Sequence, residues 1–294
     1  MTAQARDDAA STRRGILVVL AAISLFACVD VLSKKLGNMM PVALVIWARF
    51  LLFVPVALAL AWRPGRGIAW RSGHPRLQLL RGLILPVQMW LFVSAFAALP
   101  LADVHAIGAS APLLVTALSV PLLGERVGWR RWCAVLAGFC GVLLIVRPGL
   151  AEVSLPMLYV VAGAGLWACY QVILKVVGRT DGAATTGVWT AVVGAAASSF
   201  AAWFAWTPPD ATGWALLVAA AVVGGLGHIV YSQAFNLAPA STLQPFNYLL
   251  LVYAAVLGWL FFGDVPDPWT ICGAAVVVSA GLYTFHRARL RGPG

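Results

Sequence analysis

The sequence predicts an all-α membrane protein of ten transmembrane helices, arranged as two inverted repeats of five helices each. Three observations predict it. Hydrophobic residues make up 62% of the chain and charged residues 10%, with a mean hydropathy of +0.90. Ten apolar runs are each close to the length that crosses a bilayer, about 20 residues. The second half of the chain repeats the first at a nearly constant offset. A soluble domain carries about 25% charged residues, so a water-soluble chain of 294 residues would lack the charge to cover its surface.

The spans fall near Gly15–Leu36, Pro41–Trp62, Leu77–Ala98, Asp103–Leu123 and Trp132–Val146, then Leu155–Val177, Ala183–Trp206, Trp214–Phe235, Ser241–Phe262 and Trp269–Phe285. Each is read as a helix, because an open sheet edge would leave backbone groups unpaired in lipid. Connections are short and rich in Pro, Gly and charge, such as "RPGRG" from Arg63 and "TPPDATG" from Thr207. The first span could be a secretory signal, since Arg13 and Arg14 precede a run ending "LFAC" at Cys28. However, "LWAC" recurs at Leu166–Cys169, where no signal can stand. The five cysteines lie in apolar runs without metal-ligand spacing and are read as small buried apolar residues.

Orientation follows from Lys and Arg. With a cytoplasmic N-terminus, 16 of the 20 basic residues fall in inside segments, including Arg63, Arg66, Arg71, Arg76 and Arg81. That bias places both termini in the cytoplasm. It also accounts for the net charge of +10 without a nucleic-acid partner.

A shift of 141 residues aligns Leu25 with Leu166, Cys28 with Cys169, Lys34 with Lys175 and Gly37 with Gly178. A shift of 139 aligns Phe96 with Phe235, Pro100 with Pro239, Cys133 with Cys272 and Gly124-Glu125 with Gly263-Asp264. Five spans per half is an odd number, so the second half enters the membrane inverted, with a substrate site expected at the seam. The expected layout is a cytoplasmic tail over 1–14, a first repeat over 15–147, a second over 155–285 and a basic cytoplasmic tail over 286–294.

The stretches "ALPLADVHAIGASAPLLVTALSVPLLGERVGWRRWCAVLAGFCGVLLIVRPG" and "AFNLAPASTLQPFNYLLLVYAAVLGWLFFGD" resemble the EamA-type transporters of the drug/metabolite transporter superfamily. The resemblance covers the chain from Arg14 to about Arg287. It implies a bacterial inner-membrane secondary transporter with no enzyme activity and no cofactor, working on a small molecule by alternating access. Relatives move amino acids, nucleoside-like compounds, riboflavin, opine-like metallophores and drugs. Export of an amino-acid-like or zwitterionic metabolite, an opine-like metallophore included, is the first reading. Import of a vitamin or nucleoside-like compound such as riboflavin or S-adenosylmethionine is the alternative. Protons are the candidate coupling ion, the bilayer is the solvent, and a homodimer stays open. The first span has Phe26-Ala27 where many relatives carry Trp-Gly, and Asp30 and His105 are more polar than the usual occupants.

An ionisable side chain inside a span is a functional candidate. Asp30 and Arg49 lie at similar depth, either as a structural ion pair or as groups that bind a zwitterion, with Asp30 also a proton carrier. His105 near the mouth of span four and His228 deep in span eight are further proton or substrate candidates, against packed histidines. Lys34 and Lys175 read as snorkelling residues at helix ends. Gln171, Tyr231, Gln233, Asn236, Gln244, Asn247 and Tyr248 form a polar set, read as a binding face against the alternative of interhelical hydrogen bonds. Helical spacing puts the last three on one face beside Pro245. Trp90, with Trp47 and Trp167, either lines an aromatic pocket or packs in core or lipid. No catalytic or metal-binding set is expected.

Overall fold

The computed structural model describes residues 3–63, 67–124, 127–148, 154–238 and 243–290. In chain order its helices are α1 (Ala3–Met39), α2 (Val42–Ala61), α3 (Pro75–Ala98), α4 (Leu101–Gly108), α5 (Ala111–Leu123) and α6 (Trp129–Val146). The second half holds α7 (Leu155–Val177), α8 (Ala183–Phe204), α9 (Ala211–Leu237), a 3₁₀ helix (Gln244–Tyr248), α10 (Leu249–Phe262) and α11 (Pro268–Leu290). A small hairpin pairs β1 (Trp62–Arg63) with β2 (Gly67–Ile68). Among the described residues ten stretches are long and apolar enough to cross a membrane; α4 with α5 makes the fourth, and Pro245–Phe262 the ninth. An even number of crossings puts both chain ends on one face, called the terminal face below.

The sequence predicts bends at Pro112 in the fourth span and Pro245 in the ninth, and the structure goes further by breaking the regular α-helix in both. Pro112 has no N–H to offer the Gly108 carbonyl, so the helical ladder lapses between α4 and α5. Pro245 lies in the 3₁₀ helix that precedes α10. The 139-residue offset sets Tyr248, the last residue of that 3₁₀ helix, opposite Ala109 at the first break. The two breaks are thus repeat mates.

The most extensive helix pairings run between the halves: α1 with α9, α2 with α8, α3 with α7 and α6 with α11. Close approach at the last pair rests on glycine. A Cβ on Gly141 would meet the Gly273 carbonyl oxygen at 2.8 Å. Small residues allow such contact between membrane helices. The main core draws Leu36, Val45, Phe96 and Ile107 from the first half and Val160, Leu217 and Val277 from the second. Large apolar side chains such as Leu60, Trp203 and Phe204 stand outward, as lipid-facing positions should. Four of the cysteines (Cys28, Cys133, Cys140 and Cys272) are exposed rather than buried. In lipid an apolar thiol gains nothing by turning inward, so composition could not place them.

Candidate functional site

One face of α1 organises the seam. Phe26, Asp30, Ser33 and Lys34 follow the i, i+4, i+7, i+8 spacing of a helical stripe, and each meets a different helix. The Phe26 ring lies edge-on to His228 at 5.0 Å and to Tyr231 at 5.7 Å, both on α9. Asp30 Oδ2 lies 3.0 Å from His105 Nε2 on α4. Ser33 Oγ accepts a 3.4 Å hydrogen bond from Arg49 on α2. Lys34 Nζ donates to the Leu99 carbonyl at 2.8 Å and to Asp264 at 2.6 Å.

Two expectations change here. The Asp30–Arg49 ion pair does not form, because His105 takes the carboxylate and Ser33 stands opposite the guanidinium. Arg49 still lies within electrostatic reach of both Asp30 and His228. Lys34 does not snorkel either. Its side chain is buried, paired with Asp264 from the other half and seated 4.9 Å from the Phe262 ring. An acid arriving from another repeat is invisible to a reading of one helix end.

His228 keeps accessible surface beside the Phe26 ring. Across Phe26, Tyr231 Oη pairs with Asn247 of the 3₁₀ helix, accepting from Nδ2 at 3.0 Å and donating to Oδ1 at 3.2 Å. Tyr248 departs from the predicted common face. A 3₁₀ helix has three residues per turn, so i and i+3 stay aligned while i+4 swings away. The Tyr248 ring runs onto Gly281 of α11, where an added Cβ would meet its Cζ at 2.8 Å. The side chain of Gln244 lies outside the described residues. Gln171 is half-buried on α7 and makes no hydrogen bond among the described residues. Trp90 is partly exposed and tilts against Tyr159 at 5.6 Å. Through the α1 stripe the structure thus links Asp30 to His105, Arg49 to Ser33, and Phe26 to His228 and Tyr231, with Asn247 on Tyr231, whereas Trp90 lies against Tyr159 and Tyr248 against Gly281.

A second polar cluster escaped the sequence reading. Arg81, counted above among charges of an inside segment, is 1% exposed. It donates to Tyr170 Oη at 2.7 Å, Gln78 Oε1 at 2.9 Å, the Thr186 carbonyl at 2.7 Å and Thr190 Oγ1 at 2.5 Å. Gln78 in turn donates to Asp181 at 2.8 Å. Asp181 also accepts from Ser72, from the Gly73 N–H at 2.8 Å and from Thr180 at 3.1 Å. Burial alone would raise the Asp181 pKa, but the donors Ser72, Gln78, Gly73 and Thr180 outweigh it and hold it down to about 2. Gln78 and Arg81 at i, i+3 on α3 were the available signal. A charge two turns inside a helix is not a face charge.

Repeat correspondence separates two kinds of charge. Lys34 answers to Lys175, and Asp264 to Glu125, so the residue types of that cross-half pair recur in both repeats. Glu125 itself lies outside the described residues. The 141-residue offset instead sets Gln171 opposite Asp30, and the 139-residue offset sets Gln244 opposite His105. Helix α8, the mate of α2, carries no charged side chain from Ala183 to Phe204 to answer Arg49. The charges around Phe26 are therefore not a packing requirement of the repeat. Charges at a seam between two halves, beside spans broken at matching points, define a membrane carrier of the inverted-repeat class.

The chain belongs to the EamA-like transporter family, whose model matches residues 13–147 and 154–285. Among curated relatives it is 28% identical to an S-adenosylmethionine uptake transporter of Rickettsia bellii, over 87% of this chain and 88% of the relative. It is 32% identical to a riboflavin transporter of Vibrio cholerae over 66% of this chain and 65% of that one. Over 91% of this chain and 94% of the relative it is 27% identical to the pseudopaline exporter CntI of Pseudomonas aeruginosa. A solved crystal structure covering 96% of this chain and 99% of its own superposes with a TM-score of 0.62 at 20% identity, a likeness of fold.

Proposed function

We propose that the protein is a bacterial inner-membrane secondary transporter that exports a small amino-acid-like or zwitterionic metabolite, coupled to protons, with its terminal face in the cytoplasm. The observation that carries this reading is the Asp30–His105 pair across α1 and α4 at 3.0 Å, whose repeat mates are the neutral Gln171 and Gln244. An acid and an imidazole in contact can share or release a proton, and their placement at the seam lets that event respond to the rocking of the halves. Charges of both signs at one seam suit a substrate that carries both. The charges in question are Asp30 on α1 and Arg49 on α2, with the His228 ring of α9 beside them. Tyr231 and Asn247 add neutral hydrogen-bonding groups on the far side of Phe26.

Proteoliposomes loaded with candidate solutes test the reading. Wild-type protein should give solute flux that a pH gradient accelerates. Asp30→Asn and His105→Gln should insert normally and lose that acceleration, while Asn247→Ala should raise KM. A full gradient response in both Asp30→Asn and His105→Gln would remove protons from the mechanism. No solute-dependent flux under any gradient would end the transporter reading. Uptake is the second reading, favoured by the relatives named for S-adenosylmethionine uptake. The sign of the gradient that drives accumulation separates the two.

A further inference from the structure

Two arginines stand inside the bundle, and they are treated very differently. Arg81 finds four oxygen acceptors, all between 2.5 and 2.9 Å. Arg49 has the same five N–H donors, yet its one hydrogen bond among the described residues is the 3.4 Å contact to Ser33 Oγ. No described carboxylate lies within 4.0 Å of it. The nearest acid, Asp30, is engaged by His105. Leaving a cation this poorly matched inside a membrane protein is costly unless something else pairs with it.

Two further facts say what that partner is. Arg49 is half-buried rather than sealed, and it lies within electrostatic reach of His228, which is exposed, so its unspent donors stay open to a ligand at the seam. The positive charge also has no counterpart on α8, so the fold does not need it for packing α2 against its neighbours. A planar guanidinium with unspent donors matches a carboxylate in a bidentate pair, which an ammonium or hydroxyl cannot reproduce. We propose that Arg49 anchors the carboxylate of the transported molecule and that a carboxylate is required for carriage. The proposal rests on the transporter reading above and narrows it. Asp30, already held by His105, is not the primary anchor for substrate.

Counterflow in proteoliposomes tests this with three probes: S-adenosylmethionine, its carboxyl methyl ester, and riboflavin, which has no carboxylate. Charge-assisted hydrogen bonds contribute about 1.5–3 kcal/mol, so the ester should be carried about 10–100-fold more slowly than the free acid. Arg49→Gln should bring the free acid down to the rate of the ester and leave the ester unchanged, and Arg49→Lys should restore part of the difference. Equal carriage of acid and ester by wild type overturns the anchor. So does an equal loss of both probes in Arg49→Gln and Arg49→Lys, which marks a structural residue, and so does carriage of riboflavin alone, which leaves the transporter standing. Carriage of none of the three overturns the anchor together with the amino-acid-like reading and its vitamin alternative.

Discussion

At the scale of residues, the pair Lys34–Asp264 shows how a charge can serve the fold rather than the cargo. Lys34 joins α1 to the Leu99 carbonyl and, across the seam, to the acid that follows α10. Its side chain is 8% exposed and that of Asp264 22%. Removing one member of a buried pair strands the other and costs about 3–5 kcal/mol, whereas replacing both by apolar groups can be neutral. Lys34→Met and Asp264→Leu should each lower the Tm of the detergent-solubilised protein, and the double variant should recover most of the loss. Additive losses in the double variant would show that the two residues act separately. Sequence alone read Lys34 as a helix-end lysine. Its partner lies 230 positions away in the chain, and no pattern within one helix reports such a distance.

At the scale of elements, the Arg81 cluster fastens α3 to α7 and α8. Tyr170 offers its hydroxyl to a charged donor, so Tyr170→Phe should cost about 1.5–3 kcal/mol, read as a lower unfolding temperature. Asp181, at the turn between α7 and α8, adds a pH signature. Its pKa falls from the ordinary 3.8 to about 2 on folding. A depressed carboxylate contributes stability that is fully present above the unfolded pKa and is lost as pH falls through the folded one. The acid limb of thermal stability should therefore decline between about pH 4 and about pH 2, and Asp181→Asn should flatten that stretch while lowering stability at neutral pH. The helix breaks at Ala109–Ser110 and at the 3₁₀ helix belong to this scale too. Pro112 and Pro245 were legible as bends in the sequence. The change of helix type that turns Tyr248 away from Asn247 was not, because residue spacing predicts a face only when the helix period is already known.

At the scale of the whole molecule, the inverted duplication was legible because it leaves matches in Lys, Pro, Cys and Gly-acid positions that apolar bias cannot produce. The sequence could not say where each half finds its core. The most extensive pairings of α1, α2, α3 and α6 are all with helices of the second half. Glycine contacts repeat the point: an added Cβ on Gly163 of α7 would meet the Phe92 ring of α3 at 2.7 Å, and one on Gly227 of α9 would meet the Phe26 ring of α1 at 2.9 Å. The charged fastenings Lys34–Asp264, Arg147–Asp267 and Arg81–Tyr170 also join one half to the other. A single half would present these small-residue faces and buried charges to lipid, where unpaired charges are expensive. Each half expressed alone should therefore fail to give a monodisperse species in detergent. Co-expression of a first fragment ending at Pro148 with a second beginning at Ser154 should restore one that contains both chains in equal amounts. Recovery of a folded, monodisperse first half by itself would mean that the five helices of a repeat carry a core of their own, and the seam would then be a docking surface rather than the centre of the fold.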